Sequence, residues 1–371
     1  MIEINKLQNE TIASEKLRSF QLDGEPLLCV RFGSGYINDT FLVVDDTARS
    51  YILQRINRNV FRDPLRVMRN IVAVTSHLAR AAESPRGVLE LVPALDGGLW
   101  IVDEEGEYWR VYSFISDSVC YHKIVNEALF RESAVAFGSF QRSLADFPAH
   151  TLQETISGFH DTPKRYAALR EAIDADSCMR VKITQREIAF AMEREDRAGT
   201  LIARHAEGVL PLRVTHNDTK LNNVLFDRRT KKSICVIDLD TVMPGFSVTD
   251  FGDSIRFGAS TAAEDERDLT KVSFSPRLFE AYAEGFLSAC GAYLTDGEIE
   301  SLFDGAFTIT LENGVRFLTD YLSGDVYYRT EYDGQNLDRC RTQFKLAGDM
   351  ESSRDAMHAV IRRIVAGIKH R

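Results

Sequence analysis

The pattern of apolar and polar positions divides the chain into two parts of different character. Up to about residue 116, short runs rich in Val, Ile, Leu and Phe are bounded by turn residues, which is typical of β-strands. Beyond residue 117, apolar residues recur at helical spacing over longer segments, which predicts helices. We therefore predict the α+β fold class, with a β-rich N-terminal lobe at residues 1–116 and a mainly α-helical C-terminal lobe at residues 117–371.

Individual elements follow from the same pattern. Pro64 to Ala82 predicts a helix inside the β-rich part, because Asp63 can cap it and proline fits its first turn. The predicted strands of this part are residues 29–32, 41–44, 51–56, 88–92, 99–102 and 108–115. Other helices are predicted at residues 11–20, 126–147, 164–173, 185–207, 303–321 and 352–369, with further helix starts at Ser275 and at a Thr295–Glu298 capping box.

A group of β-prone runs lies inside the helical part, at residues 212–214, 224–226 and 233–237. The polar stretch 227–232 between the last two predicts a hairpin. Such a hairpin brings the loop that carries Asp218 and Asn223 next to the strand end that carries Asp238 and Asp240. Oxygen ligands gathered in this way suit Mg²⁺, which takes one or two carboxylates plus substrate phosphates. Asp218 can then orient a substrate hydroxyl and accept its proton, so the set suits phosphoryl transfer.

The acidic residues of this region also have structural interpretations. A loop aspartate commonly caps a turn, and Asp240 is as easily an ion-pair partner as a part of the metal site. We expect Asp250, Asp253 and Arg256 mainly to brace the metal-binding loop. The joint spacing of Asp218, Asn223 and Asp238, which lie between β-prone runs, favours the catalytic interpretation of these three residues.

Composition limits the classes of function. Apolar residues make up 44% of the chain and charged residues 27%, as in ordinary globular proteins. The net charge of −10 argues against binding to nucleic acid or to a membrane surface, and no apolar run approaches membrane-spanning length. The N-terminus lacks the features of a signal peptide, so we expect a cytoplasmic protein. The six cysteines are widely spaced without a CxxC, which argues against zinc or disulfide frameworks.

The string HNDTKLNNVLFD matches the kinase catalytic loop, His-x-Asp-x-x-x-x-Asn, at His216, Asp218 and Asn223. Where a protein kinase has Asp-Phe-Gly, this chain has Ile-Asp-Leu-Asp at 237–240, which resembles the aminoglycoside phosphotransferase and choline kinase group of small-molecule kinases. With VIDLDTVMPG and DFGDSIRFG, the chain is similar within that group to N-acetylhexosamine 1-kinases, over roughly residues 33–328.

This resemblance implies a bilobal protein-kinase-like fold. It implies Asp218 as the catalytic base, with Asn223 and Asp238 as ligands of Mg²⁺. The implied activity is ATP-dependent phosphorylation of the anomeric hydroxyl of an N-acetylhexosamine, GlcNAc or GalNAc, to the sugar 1-phosphate.

The resemblance also implies a nucleotide-binding side in the N-terminal lobe. Gly33 and Gly35 would lie in a loop over the ATP phosphates, although the pattern is one glycine short of the nucleotide signature and also fits a hairpin turn. Gln54 lies on the third strand, where kinases usually carry a phosphate-binding lysine, so Arg55 or a residue from elsewhere would have to supply the charge. Backbone groups from Ser113 to Ile115 would meet adenine, unless this strand only packs in the core.

On the acceptor side, the resemblance places Arg316 and Tyr327 at the hexosamine. Arginine offers several donors to hydroxyls or to an amide carbonyl, and tyrosine can donate and stack. Plain packing is the alternative, with Arg316 paired to Glu312 or Asp320 on the same helix. Asp39, at the tip of the glycine-containing loop, would accept hydrogen bonds from sugar hydroxyls.

The expected partners are therefore ATP and a small sugar, with Mg²⁺ as the cofactor, no nucleic acid and no membrane, in a monomer or weak dimer. Two other functions stay open. A kinase of a cationic amino alcohol or an aminoglycoside would need an acidic, aromatic pocket. A non-catalytic nucleotide-binding regulator would be compatible with the missing lysine and the missing third glycine.

Overall fold

The computed structural model describes residues 12–33 and 37–369. Its N-terminal part is built on five antiparallel strands: β1 (Pro26–Arg31), β2 (Asp39–Asp45), β3 (Ser50–Arg55), β4 (Ile101–Val102) and β5 (Tyr108–Ser113). They form one sheet in the order β1-β2-β3-β5-β4. Two helices accompany it, the described part of α1 at residues 12–17 and α2 at Pro64–Ala81.

The two faces of this sheet are covered by different helices, as the alternation of side chains along a strand requires. Apolar residues of one face are buried against α1; they are Phe41, Val43, Leu53, Trp109 and Val111. On the other side, α2 packs with Val67, Met68 and Ile71 beside Ile56 and Tyr112. The cap of α2 is the predicted one, because the side chain of Asp63 accepts the backbone N–H of Arg66.

Two predicted strands of this part are largely wrong. Residues 88–92 contribute only an isolated bridge between Leu91 and Tyr112, and residues 99–102 contribute only the two-residue β4. Both segments approach the same outer edge of β5, which is six residues long. Each segment therefore pairs with a different part of that edge, and neither has room for a full strand.

The rest of the chain is mainly helical. Its helices are α3 (Glu127–Ser143), α4 (Thr162–Ala175), α5 (Gln185–Met192), α6 (Thr200–Ala206), α7 (Ser247–Gly258), α8 (Pro276–Cys290), α9 (Asp296–Glu300), α10 (Leu302–Leu322), α11 (Gln335–Ser352) and α12 (Arg354–Lys369). Its short strands are β6 (Ser118–Val119), β7 (Arg213–Thr215), β8 (Val224–Asp227), β9 (Ser233–Val236) and β10 (Met243–Gly245). The β8–β9 hairpin is as predicted and is extended by β6, whereas β7 pairs with β10.

The long helix predicted at residues 185–207 is interrupted. The chain leaves the helical path after α5 and passes through a 3₁₀ turn, Glu195–Arg197, before α6 begins. At the break, the guanidinium of Arg194 donates to the carbonyl of Phe190 and pairs with Glu351 on α11. The capping box at Thr295 and Glu298 is present as predicted. No helix within the described ranges is long and apolar enough to cross a membrane.

The central helix α10 is buried along nearly its whole length, and α7 packs against it in direct backbone contact. A Cβ atom added at Gly252 of α7 would lie 2.5 Å from the carbonyl oxygen of Gly305. One added at Gly305 would lie 2.1 Å from the carbonyl oxygen of Val248. The two glycines therefore set the distance between the helices, and through α7 they set the position of the loop that carries Asp218.

We expect Gly305→Ala to destabilise the protein, because its methyl group would meet backbone atoms of α7 that cannot move alone. Overpacking of this kind costs about 1–3 kcal/mol or more in the free energy of unfolding. Urea denaturation measures the change. Gly367→Ala in α12 is the matched control, because nothing lies within 4 Å of the added atom. Equal unfolding free energies for the two variants would contradict the close contact.

Candidate active site

His216 fixes the loop between β7 and β8. Its side chain is fully buried, with the ring edge-on to Phe137 and Phe140. Nε2 lies 2.9 Å from the carbonyl oxygen of Ile237, and Nδ1 lies 3.3 Å from the backbone nitrogen of Asp218. Because the carbonyl only accepts and the amide N–H only donates, Nε2 carries the proton and Nδ1 accepts. His216 therefore ties the loop to the end of β9.

Two carboxylates of α7 hold the backbone of this loop. Asp250 accepts the backbone N–H groups of His216 and Asn217, each at 2.8 Å. Asn217 has a left-handed backbone, with φ of +64°. Asp253, one turn further along α7, accepts the backbone N–H of Thr219 at 3.0 Å. The geometry agrees with the bracing role expected for these residues.

Asp218 lies in the loop with its carboxylate partly exposed and held by two side chains. Nζ of Lys220 lies 2.7 Å from Oδ1, and the amide nitrogen of Asn223 donates to Oδ2 at 3.0 Å. Burial alone would raise the pKa of Asp218, but Lys220, and then His216 and Asn223, lower it. The carboxylate is thus ionised at neutral pH, as a proton acceptor must be.

Lys220 was missed as a candidate functional residue. Its signal was present in the sequence, since it stands two residues after Asp218 in the catalytic string. The charge of Asp218 raises the pKa of Lys220, despite burial, so the two form a stable ion pair.

Asn223 and Asp238 are brought together by the β8–β9 hairpin. Val224 pairs with Val236 in the ladder, and the N–H of Ile237 donates to the carbonyl of Asn223 at 2.9 Å. Asp238 follows with φ of +63° and does not cap the 3₁₀ turn after it. Desolvation in the cleft, then the charges of Asp240 and Asp218, raise the pKa of Asp238 to about 7, although solvent reaches its side chain.

These two residues fit Mg²⁺ as a partial ligand set. The amide nitrogen of Asn223 faces Asp218, so the oxygen is the atom it can offer a cation. After desolvation, the negative charges of Asp240 and Asp218 are the next causes of the raised pKa of Asp238, and a cation would offset these charges. The described residues contain no cluster of three or more His, Cys, Asp or Glu suited to a metal. A site completed by substrate phosphates and water is typical of Mg²⁺.

Asp240 has a different surrounding from Asp238. It is buried, and its two oxygens face Arg110 and the side-chain amide of Asn38. Of the two roles considered for it, the contacts favour the ion-pair partner.

The residues predicted on the nucleotide side lie along the sheet. Gly33 has φ of +79° with open space around it, which suits a loop position, whereas Gly35 lies outside the described residues. Gln54 donates to Thr40 Oγ1 at 3.1 Å. The N–H of Ser113 donates to the carbonyl of Glu90, and the carbonyl of Ile115 accepts Ser118 Oγ at 2.6 Å. Their contact with ATP stays a prediction.

On the predicted acceptor side, Arg316 lies among aromatic rings. Its guanidinium carbon is 5.3 Å from the ring centre of Phe159, 5.9 Å from that of Tyr327 and 5.6 Å from that of Tyr328. Tyr327 is 62% exposed. Arg316 and Tyr327 thus lie together, and their contact with a sugar stays a prediction.

Glu312 and Asp320 were the two carboxylates considered as partners of Arg316. Among the contacts of the described residues, neither forms an ion pair with it. Glu312 accepts from His160 Nδ1 at 2.9 Å and from Thr162 Oγ1 at 2.6 Å. Asp320 accepts backbone N–H groups of the segment 326–328 and the amide of Asn336. Asp320 therefore shapes the segment that carries Tyr327.

Asp39 lies at the start of β2 between two arginines. It pairs with Arg31 and with Arg55, whose Nε donates to it at 2.9 Å. Burial raises its pKa, but Arg55 and Arg31 together lower it. A sugar hydroxyl at Asp39 would therefore have to share the carboxylate with these arginines, and this contact also stays a prediction.

Comparison with known proteins identifies the family of the chain. Residues 29–291 match the model of the phosphotransferase enzyme family. The match covers more than half of the chain, so the chain belongs to that family. A microcompartment-associated aminopropanol kinase is similar in structure, with a TM-score of 0.65 and 17% identity over 94% of this chain and 98% of that one. An amicoumacin kinase in complex with AMP-PNP and Ca²⁺ has a TM-score of 0.62 and 13% identity, over 92% and 95% of the chains.

A choline kinase from Cryptosporidium parvum Iowa II has a TM-score of 0.55 and 16% identity, over 96% of this chain and 99% of that one. At these identities the likeness concerns the fold, and it confirms the predicted bilobal kinase-like class of aminoglycoside phosphotransferases and choline kinases. Membership in the family makes the chain a phosphotransferase.

We expect Asp218→Asn to lower kcat about a hundredfold or more, the scale of losing a general base. The affinity for Mg²⁺ and nucleotide should change little, because Asn keeps the shape that Asn223 contacts. Steady-state ADP release gives kcat, and calorimetry with a non-hydrolysable ATP analogue gives the affinity. Wild-type turnover in a folded variant would remove Asp218 from the role of base.

We expect the affinity for Mg²⁺ with nucleotide to rise between pH 6 and pH 8. With the pKa of Asp238 at about 7, its carboxyl group is largely protonated at the lower pH, and a cation must displace that proton. The ionised fraction changes about tenfold over this range, which sets the size of the effect.

Asp238→Asn is the control, because it retains the titration of the nucleotide itself and removes that of the carboxylate. Calorimetric titrations at both pH values compare the two proteins. The same pH dependence in both would show that Asp238 is not the group that binds the cation.

Proposed function

We propose that this phosphotransferase transfers the γ-phosphoryl group of ATP to the anomeric hydroxyl of an N-acetylhexosamine and releases the sugar 1-phosphate. The observation that carries the proposal is the character of the pocket around Arg316. Three aromatic rings surround its guanidinium, and a second arginine, Arg165, lies nearby. Burial, and then the positive charge of Arg316, lowers the pKa of Arg165, so the two cations are close together.

A neutral, polar acceptor suits this pocket better than a cation does. Two arginines repel an ammonium group, and the carboxylate of Glu312 is fully buried with both oxygens engaged. The N–H groups of Arg316 can donate to sugar hydroxyls or to the carbonyl of an acetamido group. The aromatic faces offer an apolar surface for the ring of the sugar.

A series of charged residues extends from the catalytic loop to Glu264. Asp253, which holds the backbone of Thr219, pairs with Arg256 at 2.9 Å, and Arg256 pairs with Glu264 at 2.5 Å. Burial raises the pKa of Tyr328, the positive charge of Arg316 lowers it, and the negative charge of Glu264 adds to the rise, so both charged residues act on this ring. The proposal requires an acceptor held by Arg316 to reach Asp218.

The chemistry follows from the ionised state of Asp218. The anomeric hydroxyl donates to Asp218, which takes the proton as the bond between that oxygen and the γ-phosphorus forms. The bond between this phosphorus and the bridging oxygen breaks at the same time, and ADP leaves. Lys220 keeps the carboxylate ionised before transfer. Mg²⁺ on Asn223 and Asp238 would neutralise the charge of the phosphates.

A kinase of a cationic amino alcohol is the second candidate. The net charge of −10 favours it, because an acidic protein attracts cationic substrates. The local charge at Arg316 and Arg165 opposes it, and local charge decides binding at short range since salt screens the rest.

We expect Mg²⁺-dependent ADP release from ATP with N-acetylglucosamine or N-acetylgalactosamine, and none with choline, aminopropanol or an aminoglycoside. Glucose should be a poor acceptor, because it lacks the acetamido group. The product should carry its phosphate on the anomeric oxygen, which ³¹P NMR and its acid lability identify. Release only with a cationic acceptor would overturn the sugar assignment and retain the phosphotransferase.

Arg316→Gln tests the pocket within the same assay. The KM for the sugar should rise at least about tenfold, as for loss of a hydrogen bond from a charged group, while the KM for ATP stays unchanged. Arg339→Gln is the matched control, since Arg339 also stacks on an aromatic ring, that of Phe317, from the neighbouring helix. Equal changes in both variants would assign Arg316 to packing alone.

A further inference from the structure

A positive charge lies directly beside Gln54, on the neighbouring strand. In the antiparallel pair of β3 and β5, Gln54 is opposite Arg110, so their side chains lie on the same face of the sheet. The side-chain oxygen of Gln54 accepts from Nε of Arg110 at 3.0 Å and from Nη2 at 2.8 Å. Gln54 therefore holds a guanidinium group at the place where kinases usually have a lysine.

Arg55 does not occupy this place. Its guanidinium pairs with Asp39 and lies over the ring of Trp109, 5.7 Å from the ring centre. It also lies on the opposite face of β3 from Gln54, as strand alternation requires. The sequence left two sources for this positive charge, Arg55 or a residue from elsewhere in the chain. Arg110, on β5 beside Gln54, is the one that has the required position.

Arg110 forms a buried ion pair that joins the two parts of the protein. Its side chain is 1% exposed, and Nη2 lies 2.6 Å from Oδ1 of Asp240, which is 3% exposed. The other oxygen of Asp240 accepts from the amide of Asn38. Asn38 in turn accepts the backbone N–H of Asn57 at 3.0 Å. The turn after β9 is thus attached to the sheet at two points.

This attachment lies next to the predicted metal ligand. Asp240 belongs to the 3₁₀ turn Leu239–Thr241, which begins directly after Asp238. Because Arg110 forms an ion pair with one oxygen of Asp240 and Asn38 donates a hydrogen bond to the other, this carboxylate acts as the anchor of the turn. Asp238, in contrast, is exposed to solvent.

We propose that Arg110 is a positioning residue that replaces the cation missing from β3. Through Asp240 it anchors the turn Leu239–Thr241, here called the metal-binding turn, to the sheet. It thereby aligns Asp238, which directly precedes this turn, with the bound nucleotide. The inference rests on the proposed function only for the presence of Mg²⁺ and ATP in the cleft. It does not depend on which acceptor is phosphorylated. The positive charge thus lies on β5 instead of the neighbouring strand β3, and its acidic partner, Asp240, lies in the metal-binding turn.

The test removes the positive charge of Arg110 from β5 and then introduces a positive charge on β3, at position 54. Arg110→Met should weaken binding of Mg²⁺ with a non-hydrolysable ATP analogue at least about tenfold, as for loss of a charged hydrogen bond. Binding of the same nucleotide in EDTA should weaken much less, because Arg110 acts through the metal-binding turn. The double variant Gln54→Lys with Arg110→Met should recover most of the Mg²⁺-dependent affinity. Isothermal titration calorimetry measures all three.

A second pair of variants covers the case in which Arg110→Met does not fold. Arg110→Met combined with Asp240→Asn removes both buried charges together, so no charge is left unpaired. This double variant should show the same loss of Mg²⁺-dependent affinity as Asp240→Asn alone, because the two residues act as one unit. Arg204→Met is the matched control, since it breaks an ion pair with Asp304, at 2.9 Å, between α6 and α10. It should lower the melting temperature and leave nucleotide affinity unchanged.

Wild-type Mg²⁺-dependent affinity in a folded variant without Arg110 would overturn the proposal. So would an equal loss with and without Mg²⁺, or a failure of Lys at position 54 to recover any affinity in a folded double variant. None of these measurements contains a sugar, so a wrong acceptor assignment leaves their results intact. Conversely, the expected pattern of binding together with no transfer to an N-acetylhexosamine would refute the proposed function alone.

Discussion

The catalytic loop takes its shape from one buried carboxylate. Asp250 is 1% exposed and accepts three N–H groups, from the backbones of His216 and Asn217 and from the side chain of Gln141. Burial raises its pKa, while these donors favour the charged form. A buried carboxylate without such donors would be strongly unfavourable, so the loop and helix α7 can only assemble together. Asn217 has a left-handed conformation in this arrangement.

The position of Asp250 depends in turn on the packing of α7. At Gly252 and Gly305 the backbones of α7 and α10 touch, with no side chain between them. Larger residues there would push α7 outward and move the donors and the carboxylate apart. Core packing and chemistry are therefore parts of one arrangement, in which a helix contact fixes a carboxylate, the carboxylate fixes a loop, and the loop presents Asp218.

The parts of the site that sequence reasoning found are those encoded locally. The spacing of His216, Asp218 and Asn223 and the β8–β9 hairpin are properties of one continuous stretch. Arg110 could not be found in this way, because its relation to Asp240 depends on the β3–β5 register and on how the sheet meets the helical part. Helix α11 was also missed, although it lies in one continuous stretch. Its apolar residues Leu337, Cys340, Phe344, Ala347 and Met350 recur at helical spacing, but polar residues, among them Gln335, Asn336, Thr342 and Gln343, are buried beside them and obscure the pattern.

The same central helix supports the catalytic loop and the proposed acceptor pocket at different points along its length. Gly305, near the start of α10, carries α7 and the catalytic loop, whereas Asp320, near its end, holds the backbone of the segment that bears Tyr327. With 21 residues, α10 is roughly 30 Å long. Changes near its end can therefore alter the proposed acceptor pocket without moving the contact at Gly305. Such separation explains physically how one phosphotransferase fold can keep its catalytic loop while the acceptor it binds changes.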